Sequence, residues 1–260
     1  MNYLFDPDNW EWVTTGNNLR FILEGFAVNL EIALIAMVLS LISGLALALA
    51  RLAPWTPVSF VVGAWIDIWR NLPLIFIILY LYLTIPGAWP NAYEDAIPSW
   101  FPEGLQSGRV LAAILGLVLY NSAVLAEIMR AGIQSLDRGQ NEAARGLGMT
   151  YGQSMRHVVL PQGLRRMVPA TVSQLITLNK DTTLVSIVAI QEVVRHGRIL
   201  TGTNFFGGVP VPILQVFLLI GVLFIIVNLA LSRLSRRLEI RERKRTAAVK
   251  PVRDLAEQAA

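Results

Sequence analysis

The run IALIAMVLSLISGLALALA occupies Ile32 to Ala50 and contains no charged residue. A second uncharged run extends from Val211 to Ser232. Both approach the roughly 20 residues that an α-helix needs to cross the hydrocarbon core of a bilayer. The 260-residue chain is 54% hydrophobic and only 15% charged, whereas soluble domains average about 45–50% and about 25%. The sequence therefore predicts an all-α integral membrane protein.

Outward from the first run, the hydropathy pattern predicts five membrane spans. Pro54 and Pro57 follow the first span and end it, because proline disfavours helix continuation at the residue before it. Pro73 interrupts the second span and predicts a bend there. The five predicted spans are Phe26 to Arg51, Val58 to Ile85, Val110 to Ile133, Leu164 to Val194, and Val211 to Leu234.

The distribution of charge predicts the orientation of these spans. Six arginines lie between Arg130 and Arg166, and nine basic residues follow from Arg233 onward, whereas the first 24 residues hold four acids and one arginine. By the positive-inside rule, the N-terminus lies outside and the C-terminus is cytoplasmic. The sequence thus divides into an extracytoplasmic segment (1–25), a transmembrane domain (26–238) with a cytoplasmic loop at about 134–163, and a basic cytoplasmic tail (239–260).

Several classes of function are disfavoured by composition. The chain has no cysteine and only two histidines, so thiolate chemistry and a histidine-based metal cluster are not expected. The net charge is +4, and the basic residues are concentrated in two segments that flank spans, which argues against nucleic-acid binding. There is no Gly-x-x-x-x-Gly-Lys-Ser/Thr phosphate loop and no convincing catalytic constellation, so we expect no enzyme activity in this chain.

The most informative loop reads Glu142-Ala-Ala-Arg-Gly-Leu-Gly148, followed nine residues later by Val158-Val-Leu-Pro161. Asn141 can cap a short helix here, the alanines favour helix, and Gly148 can close it in a left-handed conformation. By these properties alone, the segment could be simply a compact loop between two spans.

This spacing resembles the EAA signature of ATP-binding cassette (ABC) importer permeases, with Val158 where isoleucine is commoner. Three further segments resemble the subfamily that imports polar amino acids, in the same order along the chain. They are Arg70 to Leu74, Ala126 to Ile133, and Lys180 to Leu184.

The resemblance implies the type I importer permease fold, with the EAA loop forming a coupling helix that docks on a cytoplasmic ATPase. Its docking residues would be Glu142, Ala143, Ala144 and Gly148. It further implies two ATPase subunits that bind ATP and Mg²⁺, a second permease subunit, identical or homologous, and an extracytoplasmic amino-acid-binding protein. This chain itself would hold no cofactor or metal, and the complex would lie in a bacterial cytoplasmic membrane.

Charged residues inside spans need partners or a polar cavity, because each costs at least about 2.5 kcal/mol near the bilayer centre. Asp67 with Arg70, and Glu127 with Arg130, are spaced for ion pairs on one helix face. Other polar residues could line a substrate path, or could serve helix packing and gating. These candidates are Arg70, Asn121, Asn179, Lys180, Asp181, Thr182 and Thr183.

The cationic Arg70 and Lys180 favour glutamate or aspartate as the imported amino acid, although Asp67 and Asp181 weaken that preference. The alternative is a standalone carrier driven by an ion gradient, with Asp67, Glu127 and Asp181 as proton or cation sites. Uptake that depends on ATP hydrolysis, and not on the ion gradient, distinguishes the two.

Overall fold

The computed structural model describes residues 6–202 and 211–258 of the chain, with side chains described up to residue 241. The structure is 85% helical and has no strand among the described residues, which confirms the all-α prediction. Its principal helices are α1 (Asn18–Arg51), α2 (Thr56–Asn71), α3 (Leu74–Thr84), α4 (Ala88–Ala96), α5 (Arg109–Gln134), α6 (Arg138–Gly146), α7 (Leu160–Asp181), α8 (Val193–Gly202) and α9 (Ile213–Gln258).

Helices α1 and α5 form the centre of the membrane domain and make its most extensive contact. Their interface buries Ile32 and Ala36 of α1 against Leu117 of α5. A Cβ atom added to Gly44 would lie 3.0 Å from the carbonyl oxygen of Ser122. A residue without a side chain is therefore needed at position 44 for the two backbones to approach this closely.

The second predicted span is broken rather than gently bent. Helix α2 ends at Asn71, Leu72 and Pro73 are extended, and α3 leaves at 100° to α2. Pro73 lacks a backbone N–H and forces Leu72 away from helical geometry, which explains the position of the break. The prediction of a bend at Pro73 is confirmed, but Val58 to Ile85 is not one continuous helix.

The fourth predicted span, Leu164 to Val194, is also not continuous. Helix α7 ends at Asp181, a 3₁₀ helix covers Thr182–Val188, and Ala189 adopts a left-handed conformation with φ of 58°. The hydroxyls of Thr182 and Thr183 donate to carbonyl oxygens three residues earlier, at 2.7 and 2.8 Å. Such side-chain bonds to the backbone compete with the α-helical pattern and explain its early end.

The predicted outer boundaries also differ from the structure. Helix α1 begins at Asn18, within the segment 1–25 that was predicted to precede the membrane domain, and residues 1–5 lie outside the described part. Helix α9 runs through the predicted tail without a break, to Gln258. Residues 203–210 of the last predicted external loop, and the final residues 259–260, also lie outside the described part.

Among the described residues, three helices are long and apolar enough to cross a membrane: α1, α5 and the Ile213–Arg241 part of α9. The bent α2–α3 pair gives a fourth span if it counts as one. Helix α7 has 22 residues, but its mean hydropathy is too low for it to count among these membrane-crossing helices. Polar side chains lie throughout its length. Length and composition therefore do not confirm the count of five.

The two ends of the bundle are distinct. At one end, Tyr151 contacts the turn between α1 and α2, and Arg166 donates to the carbonyl oxygen of Ser135. We call this the α6 end. At the opposite end, His196 of α8 contacts Phe21 in the first turns of α1. We call this the α8 end.

Candidate functional site

The EAA segment forms helix α6, which begins four residues earlier than the sequence indicated. The side chain of Asp137 accepts from the N–H of Gly139 at 2.9 Å and caps the helix. Asn141, the predicted cap, lies inside the helix, where its Oδ1 accepts from the hydroxyl of Ser154 at 2.7 Å. An aspartate at the cap also places negative charge at the positive end of the helix dipole, which explains why the helix extends back to it.

The end of α6 is fixed by Gly148, as predicted. Gly148 has φ of +81°. The N–H of Gly148 donates to Arg145, and the N–H of Met149 donates to Ala144, at 2.9 and 3.1 Å. This is the Schellman arrangement, in which a left-handed glycine lets two N–H groups fold back onto carbonyls of the last turn.

The four predicted docking residues do not all face outward. Glu142, Ala143 and Gly148 are exposed, whereas Ala144 is only 3% exposed and lies inside the loop. Sequence reasoning left out Leu147, whose side chain is 81% exposed at the end of α6. A leucine between two glycines was the signal available in the sequence.

The rest of the loop holds α6 against the membrane domain. Thr150 and Gln153 form a capping box that starts the next helical turn. The hydroxyl of Tyr151 then donates to the carbonyl oxygen of Leu52 at 2.9 Å, which ties the loop to the α1–α2 turn. Partial burial raises the pKa of Tyr151 above its ordinary value, so the hydroxyl stays protonated and able to donate.

The polar residues of α7 bind it to neighbouring helices. Gln174 donates to Oδ1 of the buried Asn121 on α5 at 2.8 Å. Asn179 is 1% exposed and donates to Asn228 on α9 at 3.1 Å. Hydrogen bonds between helices satisfy polar groups that lipid cannot. Asn121 and Asn179, candidates for a substrate path or for helix packing and gating, thus form hydrogen bonds between helices.

A third polar link joins α1, the end of α7 and α8. Nδ2 of Asn29 donates to Oγ1 of Thr182 at 3.0 Å and to Oε2 of Glu192 at 3.1 Å, and its Oδ1 accepts from the N–H of Val193 at 3.0 Å. Asn29, Thr182 and Glu192 are all 0% exposed. Asn29 and Glu192 were missed by sequence reasoning, although an asparagine inside an apolar span was a usable signal.

The remaining candidates on this segment lie nearer the surface. Lys180 is exposed, and Asp181 and Thr183 are half-buried. Lys180 belongs to a stripe of small and polar residues that α7 exposes along one face, one turn apart. We define the α7 stripe as Ala170, Ser173, Thr177 and Lys180.

Of the two predicted ion pairs, the structure contains the one between Glu127 and Arg130. Arg130 binds Glu127 with its Nη2 2.7 Å and its Nε 3.1 Å from the carboxylate, as the spacing indicated. Arg70, however, lies 3.9 Å from Glu127 on α5, and no ion pair joins it to Asp67 among the described residues. Packing of α2 against α5 brings Glu127 within reach of Arg70, whereas the side chain of Asp67 is exposed.

A cavity of about 820 Å³ opens at the α8 end. Three carboxylates line it, Glu24, Glu31 and Glu103, together with Arg109 and His196. No group of histidine, cysteine, aspartate or glutamate suited to a metal ion occurs in the parts of the chain that the structure describes. The cavity combines charged side chains with apolar ones such as Val28 and Ile199.

Comparison with protein families gives a match over residues 36–244 to the model described as "Binding-protein-dependent transport system inner membrane component". The chain belongs to this family. The matched range includes the EAA loop. It also includes the hydrogen bonds of Gln174 with Asn121 and of Asn179 with Asn228.

Curated relatives are permeases of amino-acid transporters. The probable glutamine ABC transporter permease protein GlnP of Bacillus subtilis is 37% identical over 86% of this chain and 95% of its own length. The glutamate/aspartate import permease protein GltK of Escherichia coli O157:H7 is 34% identical over 72% of this chain and 80% of its own length. The arginine transport system permease protein ArtQ of B. subtilis is 31% identical over the same shares.

Solved structures agree with this assignment. A crystal structure of an amino acid ABC transporter with histidines superposes with a TM-score of 0.70 at 27% identity, covering 86% of this chain and 94% of that one. An inward-facing MetNI methionine ABC transporter matches the fold with a TM-score of 0.56 at 22% identity. The protein is thus the permease of an amino-acid ABC importer, a multi-pass membrane protein whose family implies ATPase and binding-protein partners.

Proposed function

We propose that this chain is one of two permease subunits, identical or homologous, that enclose a path for a polar amino acid between them. The α7 stripe is the observation that carries the proposal. Helices α1, α2 and α9 expose leucine, isoleucine and phenylalanine, for example Leu34, Phe60 and Ile225. The charged Lys180 on the α7 stripe suits a protein partner or a water-filled path rather than lipid, whereas the hydroxyls of Ser173 and Thr177 already donate to backbone carbonyls of α7.

This arrangement assigns α7 as a membrane crossing despite its polarity. With the α2–α3 pair as one crossing, the chain then has five, and its termini lie on opposite sides. The arginine-rich α6 end is cytoplasmic in this proposal, and the α8 end faces the binding protein. The carboxylate-lined cavity and α8 lie where a docked binding protein delivers its cargo.

Coupling to the ATPase runs through α6. Glu142, Ala143, Leu147 and Gly148 form the docking surface, while the buried Ala144 packs the helix onto its own loop. The partner ATPase binds ATP and Mg²⁺ and carries out hydrolysis. Movement of α6 passes to the α1–α2 turn through the hydrogen bond between Tyr151 and Leu52.

Among polar amino acids we favour those with an acidic side chain, glutamate or aspartate. Lys180 is the cation that supports this choice, because it is exposed on the α7 stripe, whereas Glu24, Glu31 and Glu103 in the cavity at the α8 end oppose it. Arg70 contributes less, because Glu127 already lies beside its guanidinium. The relatives named for glutamine, glutamate/aspartate and arginine transport mark the range to be tested.

The test combines labelling with transport. The chain has no cysteine, so Thr177→Cys on the stripe and Ile225→Cys on α9 each introduce a single thiol. In the complex with its ATPase, we expect a charged maleimide to label Thr177→Cys and to spare the lipid-facing Ile225→Cys. Proteoliposomes that also contain the binding protein are expected to take up glutamate or aspartate only when ATP is hydrolysed.

Two results would overturn the proposal. Equal protection of both thiols would place the α7 stripe against lipid or inside a sealed contact. Uptake that collapses with an uncoupler while ATP is held constant would instead establish a carrier driven by an ion gradient. Replacing glutamate by glutamine or arginine in the same assay tests the preferred substrate separately.

A further inference from the structure

A second cavity, of about 390 Å³, opens at the α6 end and is not part of the substrate path proposed above. It lies where the end of α1, the start of α2 and the last turns of α5 meet. Its lining is basic and polar, with one aromatic side chain. The lining residues are Arg51, Thr56, Ser59, Phe60, Arg130 and Gln134. We call this cavity the basic pocket.

Both arginines of the basic pocket are held in place by the protein. The guanidinium of Arg51 donates to the carbonyl oxygen of Ser59 at 2.5 Å and lies against Gly63. Arg130 is held by Glu127 and by Gln134. Fixed guanidinium groups lose little conformational entropy when they bind an anion.

The charge around the basic pocket is positive on balance. Glu127 is attracted by three arginines: Arg51, Arg70 and Arg130. Asp67 in turn attracts Arg130. Three arginines against two carboxylates leave one positive charge in excess. An additional anion is therefore favourable here.

The start of α2 adds further attraction for an anion. Helix α2 has 16 residues and begins at Thr56, and no side chain caps it at Trp55. Thr56 and Ser59 of its first turn line the basic pocket, so the positive end of the helix dipole lies beside it, although Pro57 has no N–H to donate.

Apolar side chains beside the basic pocket indicate a lipid rather than a soluble anion. Trp55 and Phe60 are each 73% exposed, and Val61 is 64% exposed. Tryptophan at such a position is typical of the boundary between headgroups and acyl chains. If the phosphate of a phospholipid occupied the pocket, the acyl chains of that lipid would lie along Phe60 and Val61.

We propose that the basic pocket binds the phosphate of an anionic phospholipid. Basic pockets between membrane helices are a recurrent form of headgroup recognition. The bound lipid would contact the α1–α2 turn, to which Tyr151 ties the EAA loop. It would thus stabilise the turn through which movement of α6 reaches the membrane domain.

Lipid retention by the purified complex of permease and ATPase tests this proposal. Native mass spectrometry would compare phosphatidylglycerol with phosphatidylcholine for the wild type, Thr56→Glu, Arg51→Gln and Arg165→Gln. Thr56→Glu places a carboxylate in the first turn of α2, which suits the helix but repels phosphate. Arg165 is exposed on α7 and outside the pocket, so Arg165→Gln controls for the loss of one charge.

We expect the wild type and Arg165→Gln to retain phosphatidylglycerol in preference to phosphatidylcholine. Retention should fall about fivefold or more in Thr56→Glu and Arg51→Gln, in proportion to the charge removed or added. Unchanged retention in Thr56→Glu, or equal retention of the two lipids, would overturn the proposal. Displacement of the lipid by millimolar inorganic phosphate would show a site for soluble phosphate instead.

Discussion

Asn29 and Glu192 are 163 residues apart in the chain, yet Nδ2 of Asn29 lies 3.1 Å from Oε2 of Glu192 in the buried interior. The same asparagine accepts the N–H of Val193 and donates to Thr182. One side chain of α1 therefore holds together the end of α7 and the start of α8. This link fixes the geometry of the α8 end of the bundle.

Replacement of that asparagine tests the link. In Asn29→Leu, the carboxylate of Glu192 and the N–H of Val193 stay buried, and each loses its hydrogen bond to position 29. We expect the free energy of unfolding to fall by about 3 kcal/mol, because a buried polar group that loses its partner is strongly destabilising. Denaturant titration in mixed micelles measures the change. Asn91→Leu, at an exposed position on α4, is the control, and an equal midpoint for the two variants would contradict the prediction.

The hydrogen bond between Tyr151 and Leu52 predicts a defect in coupling. Tyr151→Phe keeps the ring and removes only the hydroxyl, so the free energy of unfolding should change by about 1 kcal/mol or less. We expect transport per ATP hydrolysed to decrease, measured in proteoliposomes. The exposed ring of Tyr80 offers a matched control, Tyr80→Phe. Unchanged coupling in Tyr151→Phe would assign the bond to loop stability alone.

The left-handed Gly148 predicts that the end of α6 does not tolerate a β-branched side chain. Gly148→Val strains a backbone at φ of +81° by about 1–2 kcal/mol. We expect the variant to insert in the membrane and to lose ATP-driven uptake. Gly146→Val is the control for the helix end, since a Cβ there meets nothing within 4 Å and its φ is not positive. Full uptake by Gly148→Val would count against a docking role for this end of α6.

The contact of His196 with α1 predicts a loss of stability in acid. Burial lowers the pKa of His196, although its bond to the Phe21 carbonyl and the nearby Glu24 both oppose this. The ring stacks on Phe21 with centroids 3.9 Å apart. Below about pH 6.5 the unfolded chain binds more protons at this residue than the folded one, so the stability of the folded state decreases as pH falls.

Thermal unfolding of the wild type between pH 8 and pH 5, compared with His196→Gln, measures this dependence. The wild type should lose stability over this range, and the variant should show a smaller slope. Equal slopes would show that other groups are responsible for the pH dependence.

Local chemistry allowed much of the fold to be predicted. The break at Pro73 follows from the geometry of proline and its preceding residue, and the end of α6 follows from the freedom of glycine at Gly148. The choice between Asp137 and Asn141 as the cap of α6 could not be made in this way. Both residues can cap a helix, and only the bond from Ser154 shows that Asn141 is otherwise engaged.

The sequence by itself determined the membrane class, the end of the EAA helix at Gly148 and the family resemblance, because these depend on hydropathy, on the freedom of glycine and on spacing along the chain. Only the tertiary structure decided that Arg70 lies beside Glu127, that Ala144 is buried, and that Lys180 lies exposed on a polar stripe. The physical reason is the geometry of helix packing. An ion pair or a buried contact depends on which faces of distant helices meet, and residue spacing within one helix does not contain that information.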